Sequence, residues 1–310
     1  MSKLGKACLA TLVCGLLLVG GAWFMGLRDF SLGGTSMENE VKEIPLDTLR
    51  AVDIQLELQN VEIREGGTKT VLYYPAYSDP ALRLQVKQED GKLTISGPKQ
   101  KTKLQIAMPN FFPSVLDKQK VVLNVAKGQK LENVSIDLSV GSVALYKAHI
   151  ENATIRTKIG SMEINHCPIE HLDAQSETGS IWIADTALST SSISTETGSI
   201  SATIKPSGTF DLRTKTGAIG VDTFGVKRTN VTMETGTGRV RWQRDTQSGN
   251  TFHHEVDDAQ ATLFLRSDTG NLAVIDLEEE TRRINEERQN SQGNGISTSE
   301  SERSQANREE

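Results

Sequence analysis

Glycine recurs at positions 141, 160, 179, 198, 217 and 236, five consecutive intervals of 19 residues. With 26 glycines in 310 residues, composition alone does not produce such a series. The flanking residues keep the same period. Five before each glycine stand Ile136, Ile155, Ala174, Ile193, Leu212 and Val231; two after come Val143, Met162, Ile181, Ile200, Ile219 and then Gly238. Four after come Leu145, Ile164, Ile183, Ala202, Val221 and Val240. A 19-residue unit holding two short alternating stretches and a glycine cannot bury its own apolar side. It needs a copy of itself above and below, which is the logic of a solenoid. An offset unit, Leu265 to Val274 with Gly270 in the glycine column, closes the series, and residues 250–264 break the register.

The glycines Gly141, Gly160, Gly179, Gly198, Gly217 and Gly236 are therefore read as structural corners, where the bend needs a backbone that a Cβ penalises. The outward columns are coherent too. Lys158, Glu177, Glu196, Lys215 and Glu234 each precede a glycine by two, and neighbours of opposite sign favour in-register stacking. Thr178, Thr197, Thr216, Thr235 and Thr269 stand directly before the glycines. Trp182 lies between Ile181 and Ile183, so alternation turns it outward, where an indole can stack on a sugar or on a protein partner. Trp182, Lys158, Glu177, Glu196 and Lys215 form the candidate interaction surface.

Upstream of the repeats the period is 2. Val52, Ile54, Leu56 and Leu58 alternate, and Val61 and Ile63 resume one residue out of phase. Leu82, Leu84 and Val86 are followed by Asp90-Gly91 and then Leu93 and Ile95, a hairpin signal. Leu104–Met108 and Val121–Val125 read as two further strands. No stretch between 44 and 277 carries a helical period. The expectation is an all-β fold: a right-handed-type β-solenoid over 131–277, with an irregular insert at about 243–264. An N-terminal antiparallel β region over 44–130 is expected to cap it.

Residues 7–27, ACLATLVCGLLLVGGAWFMGL, carry no charge over a length of helix that matches a bilayer core. Lys3 and Lys6 precede the run and Arg28 and Asp29 follow it, so the positive-inside bias predicts residues 1–6 in the cytoplasm and the remainder outside. The run exceeds a cleavable signal's apolar core, and Cys14 follows Val13 rather than a small residue, which argues against a lipoprotein. A linker over 28–43 leads to the body. The tail, 278–310, is polar and expected to be disordered, apart from a short helix around Leu277 to Gln289 supported by Glu and Arg four apart. The chain is read as single-pass in a bacterial cell membrane, with the membrane as one partner.

The chemistry is sparse. Lys and Arg number 34 against 40 Asp and Glu, a net −6, which speaks against nucleic acid as a partner. His166, Cys167 and His171 are the one compact ligand-type cluster, but adjacent residues on a strand face opposite ways, and a closed metal site needs four convergent ligands. Cys167 reads as a small buried residue. No nucleophile elbow or phosphate loop occurs, and the hydroxyls Ser142, Ser161, Ser180 and Ser199 have no matching histidine column. No cofactor, no metal and no catalytic set are expected.

The run Asn60-Val61-Glu62-Ile63-Arg64, the strands up to Val121–Gly128 and the iterated Thr-Gly-Ser-Ile units resemble the LiaG-like adhesin family of β-strand-repeat envelope proteins. The resemblance covers roughly 44–277. It implies a β-solenoid ectodomain and a non-enzymatic role in envelope stress or adhesion, toward an envelope signalling protein or a surface glycan. It implies no catalytic residues. Two alternatives remain open: a self-assembling scaffold of the bactofilin kind, and a glycan-active β-helix enzyme using clustered acids.

Overall fold

A computed structural model describes residues 38–43, 49–76, 83–97, 120–205 and 207–287. The candidate span at 7–27, the strand expected at 104–108 and the tail beyond 287 lie outside the described residues. Among the described residues no helix is long and apolar enough to cross a membrane.

Before the glycine repeat come β1 (Glu38–Glu43), β2 (Ala51–Leu56), β3 (Asn60–Glu65), β4 (Val71–Ala76), β5 (Gln85–Glu89), β6 (Lys92–Ser96) and β7 (Lys120–Val125). Each repeat then supplies a long strand and, past its glycine, a short one. These pairs are β8 (Lys130–Val140) with β9 (Val143–Tyr146), β10 (His149–Ile159) with β11 (Met162–Asn165), and β12 (Ile169–Thr178) with β13 (Ile181–Thr186). They continue as β14 (Leu188–Thr197) with β15 (Ile200–Ile204), β16 (Gly208–Thr216) with β17 (Ile219–Thr223), and β18 (Thr229–Thr237) with β19 (Val240–Trp242). The short β20 (Asp245–Thr246) and β21 (Thr251–His254) precede a final pair, β22 (Ala261–Thr269) and β23 (Leu272–Asp276), and a helix α1 over 277–287.

Long strands pair with long strands and short with short, one coil to the next and in parallel. The result is a 12-stranded sheet that holds the short strands and an 11-stranded sheet that holds the long ones. Alternation places Ile136, Ile155, Ala174, Ile193 and Leu212 in one buried row and Leu145, Ile164, Ile183, Ala202 and Val221 in another. Each large aliphatic side chain so buried contributes about 1.5–3 kcal/mol.

At the corner the backbones nearly touch. A Cβ on Gly160 would stand 1.8 Å from the carbonyl oxygen of Gly141, and one on Gly198 would stand 2.1 Å from that of Gly179. Their φ values, 158° and 153°, fall in a region closed to other residues. From Gly160 onward the crowded carbonyl is satisfied by a hydroxyl three residues before the next coil's glycine. Ser176 donates to Gly160 O at 3.2 Å, Thr195 to Gly179 O at 2.9 Å and Thr214 to Gly198 O at 3.1 Å. The residue after the glycine completes the corner by accepting the N–H of its equivalent one coil on: Ser161 Oγ from Ser180, Ser180 Oγ from Ser199, Ser199 Oγ from Ala218. Asn60 takes this place for Ser142 and Asn271 for Arg239.

The structure departs from expectation, or adds to it, in four places. First, the stack does not begin at residue 131. Strand β2 lies parallel to β8 with Ile54 beside Ile136, β3 lies parallel to β9, and β6 and β7 add a further parallel layer beyond them. Among the described residues, antiparallel pairing upstream of the repeat is confined to β1 on β4, β4 on β7 and the β5–β6 hairpin at Asp90-Gly91. Period-2 alternation suits either strand direction, so it could not distinguish them. Second, the irregular insert closes the opposite end, with β21 antiparallel to β18 and β20 to β19, and Trp242 stacked on Phe252 at 4.8 Å.

Third, Gly236 is not a corner. The glycine that meets the neighbouring corner is Gly238, whose Cβ would stand 2.0 Å from Gly270 O, and the hydroxyl of Thr235, three before it, donates to that oxygen at 2.8 Å. Thr235 is therefore buried, and Glu234 leaves the ladder of Lys158 and Glu177 to pair with Arg266 at 2.7 Å. Fourth, the last coil is not last in space: β22 and β23 lie between β16–β17 and β18–β19. The short helix agrees with expectation. Asp276 caps it, accepting the N–H groups of Glu278 at 2.9 Å and Glu279 at 3.3 Å.

Two substitutions test the corner. Gly198→Ala is expected to lower the thermal midpoint by the equivalent of about 1–3 kcal/mol through backbone strain alone, whereas Glu196→Gln, on an exposed ladder, should leave it nearly unchanged. In the acceptor column Ala218 offers Asn271 no oxygen, so Ala218→Ser should raise stability by about 0.5–1 kcal/mol. Equal midpoints for Gly198→Ala and Glu196→Gln would refute the corner, and no gain from Ala218→Ser would refute the acceptor column.

Candidate functional site

Trp182 sits on β13 with Ile181 and Ile183 on either side fully buried, while the indole itself is 49% exposed. It is on the outer face of the short-strand sheet near the middle of the stack. Its cross-strand neighbours are Glu163 on β11 and Ser201 on β15, followed by Gly220 on β17 and Ala273 on β23. Glu163 is held by the Tyr146 hydroxyl; burial first, and then this hydrogen bond, push the Tyr146 phenol up to about 12. Two residues along from Glu163, Asn165 accepts from the His166 ring at 2.5 Å through its carbonyl oxygen. Near β3, Glu62 is buried between Arg64 at 3.1 Å and Lys120.

Lys158, Glu177, Glu196 and Lys215 are on the other sheet, at the ends of the long strands β10, β12, β14 and β16. With Arg156, Gln175, Ser194 and Arg213 they edge a groove of about 510 Å³ that crosses successive coils. The structure thus separates the candidate surface in two, because Trp182 is not part of this groove. The charges are also less regular than the sequence ladder. Lys215 pairs with Glu196, but Arg156 pairs with Asp173 at 2.9 Å and Arg213 with Asp211, both within or beside their own strands. The groove has the adjacent acids Glu177 and Glu196 between basic rungs at Lys158 and Lys215, so no single sign runs along its length.

The histidines and cysteine do not converge. Among the described residues no group of three or more His, Cys, Asp or Glu side chains is arranged to hold a metal. Cys167 faces inward, with a relative exposure of 0%, in the row that continues with Thr186 and Ile204. Burial pushes its thiol up to about 11. His149 and His171 stand near Glu170, whose carboxyl is held below its ordinary value chiefly by the hydrogen bond from Lys130. Lys130 bridges Glu151 at 3.0 Å and Glu170 at 2.9 Å.

Sequence reading found Trp182 and its orientation but missed its surroundings. The Tyr146–Glu163 bond and the Glu62–Arg64–Lys120 cluster join residues from different coils, and Lys120 reaches Glu62 only because β7 lies beside β3. The spacing of 19 between Ala144, Glu163, Trp182 and Ser201 was the signal available, since it places them in one cross-strand row.

The family model described as Toastrack DUF4097 matches residues 49–272. No curated protein matches the chain. Among solved structures, a candidate cell adhesion protein from Clostridium sporogenes ATCC 15579 is 12% identical, with 77% of this chain and 99% of that chain covered and a TM-score of 0.38. A candidate adhesin from Bacteroides fragilis NCTC 9343 is 12% identical over 78% of this chain and 99% of that chain, with a TM-score of 0.44. A candidate lipid binding protein from Parabacteroides distasonis ATCC 8503 is 13% identical over 76% and 96%, with a TM-score of 0.37.

A thiol whose pKa is raised stays protonated at neutral pH, and here it is also out of reach of solvent. In a Cys8→Ser, Cys14→Ser background, Cys167 should resist maleimide at pH 8 in the native protein and react fully in denaturant. Rapid native labelling, read by intact mass, would contradict the inward placement.

Proposed function

We propose that this chain, which belongs to the Toastrack DUF4097 family, is a LiaG-like, non-enzymatic surface protein that works by contact. Residues 7–27 hold it in the bacterial cell membrane with its N-terminus inside. The β-solenoid is displayed outside, where it serves envelope-stress signalling or adhesion. The observation that carries this reading is Trp182, a large indole kept half-exposed on a sheet whose register is locked coil by coil. A fixed array of outward side chains is suited to recognising a partner without rearrangement, because little ordering entropy is lost on contact.

The anchor belongs to the same argument. Confinement to a membrane raises the local concentration of any partner in that membrane, so a weak contact suffices. The bactofilin-like alternative needs open ends, and both ends of this stack carry antiparallel strands, β1, β4 and β5 at one and β20 and β21 at the other. Antiparallel edges of this kind interrupt the parallel register that end-to-end growth would continue.

Deleting the gene in its own host is expected to change sensitivity to wall-active antibiotics or adherence to surfaces. The full chain should restore the phenotype, a secreted version starting at residue 28 should not, and Trp182→Ala should restore it only in part. A deletion strain normal in both respects would overturn the reading, and turnover of wall glycan by the pure protein would move it to the enzyme class.

A further inference from the structure

The residues around Trp182 are of the kinds that surround a sugar ring. A pyranose in the gluco configuration carries all its substituents equatorially. It therefore offers an apolar C–H face to an aromatic ring and sends its hydroxyl and acetamido groups outward in the plane of the ring. A matching site needs one exposed aromatic platform, hydrogen-bonding groups at the sides of that platform rather than beneath it, and open room along the direction in which the next sugar follows.

Trp182 supplies the platform: its flanking residues Ile181 and Ile183 are buried at 0%, so the β13 backbone beneath it is fixed by the core. Polar groups stand on both sides in adjoining strands. On β11, Glu163 is directly opposite, held by the Tyr146 hydroxyl, and Asn165 is two residues on with its carbonyl engaged by His166, which leaves its amide N–H groups as donors. On β15, Ser201 is directly opposite and exposed. On the same strand as the indole the next outward residue is Ala184, which cannot cover it. Beyond Ser201 the row continues through Gly220, above which a Cβ would meet nothing within 4 Å, and Ala273. At about 4.8 Å per strand, the row from Trp182 to Ala273 is a shelf about 14 Å long with no tall side chain on it.

The arrangement does not suit the other ligand classes equally. A polyanion would meet Glu163 and, on β17, Asp222, with no basic side chain in the same row until Arg241 at its far end. A protein interface would call for a wider apolar patch than one indole.

We propose that Trp182, Glu163, Asn165 and Ser201 form a glycan-binding site for a β-linked, gluco-configured chain, seated on the indole and running toward Gly220. This deepens the contact reading above by naming what the face touches.

The test uses the full chain in detergent, carrying Trp23→Phe so that Trp182 and Trp242 are the remaining indoles. Trp242 is covered by Phe252, stacked on it, and by the tilted ring of His254, so Trp182 is the one open to ligand. Titration with tetra-N-acetylchitotetraose should shift and quench the emission saturably, whereas α-linked maltotetraose, which coils away from a flat face, should not. By calorimetry, Trp182→Ala should weaken binding about ten-fold or more, Trp182→Phe less, Glu163→Gln several-fold, and Lys158→Ala on the opposite sheet not at all. Thermal midpoints should stay at the parent value, because Trp182, Glu163 and Lys158 all face outward.

Absence of chitotetraose binding, or equal binding by Trp182→Ala, overturns the glycan site. If Trp182→Ala then still restores the host phenotype only in part, the contact reading stands with a protein partner instead. If chitotetraose binds through Trp182 while the deletion strain is normal, the glycan site stands and the contact reading falls.

Discussion

Everything in this molecule depends on how closely one coil's backbone can approach the next at the glycine corner. Parallel strands stack at about 4.8 Å whatever their side chains, but a turn repeated at that spacing brings a carbonyl of one coil against the α-carbon of the next. The contact leaves no room for a Cβ, from Gly160 over Gly141 to Gly238 over Gly270. The same approach buries the carbonyl, and a buried acceptor without a donor would cost about 1–3 kcal/mol per coil. At the carbonyls of Gly160, Gly179, Gly198, Gly217 and Gly270, the hydroxyl three residues upstream in the following coil removes that cost. Glycine and hydroxyl are thus two halves of one device: the first permits the approach, and the second makes it tolerable electrostatically. The acceptor after the glycine, serine or asparagine, takes up the exposed N–H of the next turn and so ties one corner to the next.

A stack built this way has two exposed ends, and the chain handles both alike. At one end β2 and β3 lie between the coil of β6 and β7 and that of β8 and β9; at the other, β22 and β23 lie between β16–β17 and β18–β19. In each case the outermost coil is formed by a detour of the chain, and a neighbouring stretch of sequence occupies the interior slot. Neither outer coil can peel away as a loose terminus, since chain leads back into the stack from both of its ends. The antiparallel strands laid over these outer coils finish the edges, and aromatic packing of Trp242 on Phe252 anchors one of them.

Much of this was legible. Glycine spacing, the two apolar rows and the outward turn of Trp182 follow from periods of 19 and 2, which translate directly into which coil and which face a residue occupies. What failed, failed where two registers compete. The pair Gly236 and Gly238 offers both a 19-residue and a 21-residue interval from Gly217, and arithmetic prefers the first. Physics prefers the second. With Gly238 at the corner, the position three before it is Thr235, a donor, and the position two after is Val240, apolar; with Gly236 those places fall to Met233 and Gly238. The misfit of Gly238 in an otherwise aliphatic column was the visible sign. The order of the end coils had no comparable sign, because a coil of the right period fits any slot in the stack.

The candidate site is harder to read from sequence for a reason that belongs to repeats as such. The positions at the corner, three before it, and one, two and four after it are each restricted by stacking, and they look alike from coil to coil. The position three after the glycine is not: in spatial order it holds Ala144, Glu163, Trp182, Ser201, Gly220, Ala273 and Arg241. No two neighbours there are the same, and their side chains point away from the core that fixes the apolar columns. A fold that specifies nothing at a position leaves it to whatever the protein touches. The irregular column, not the regular ones, is where the activity of a solenoid has to be sought, and here it is the column in which the half-exposed tryptophan stands.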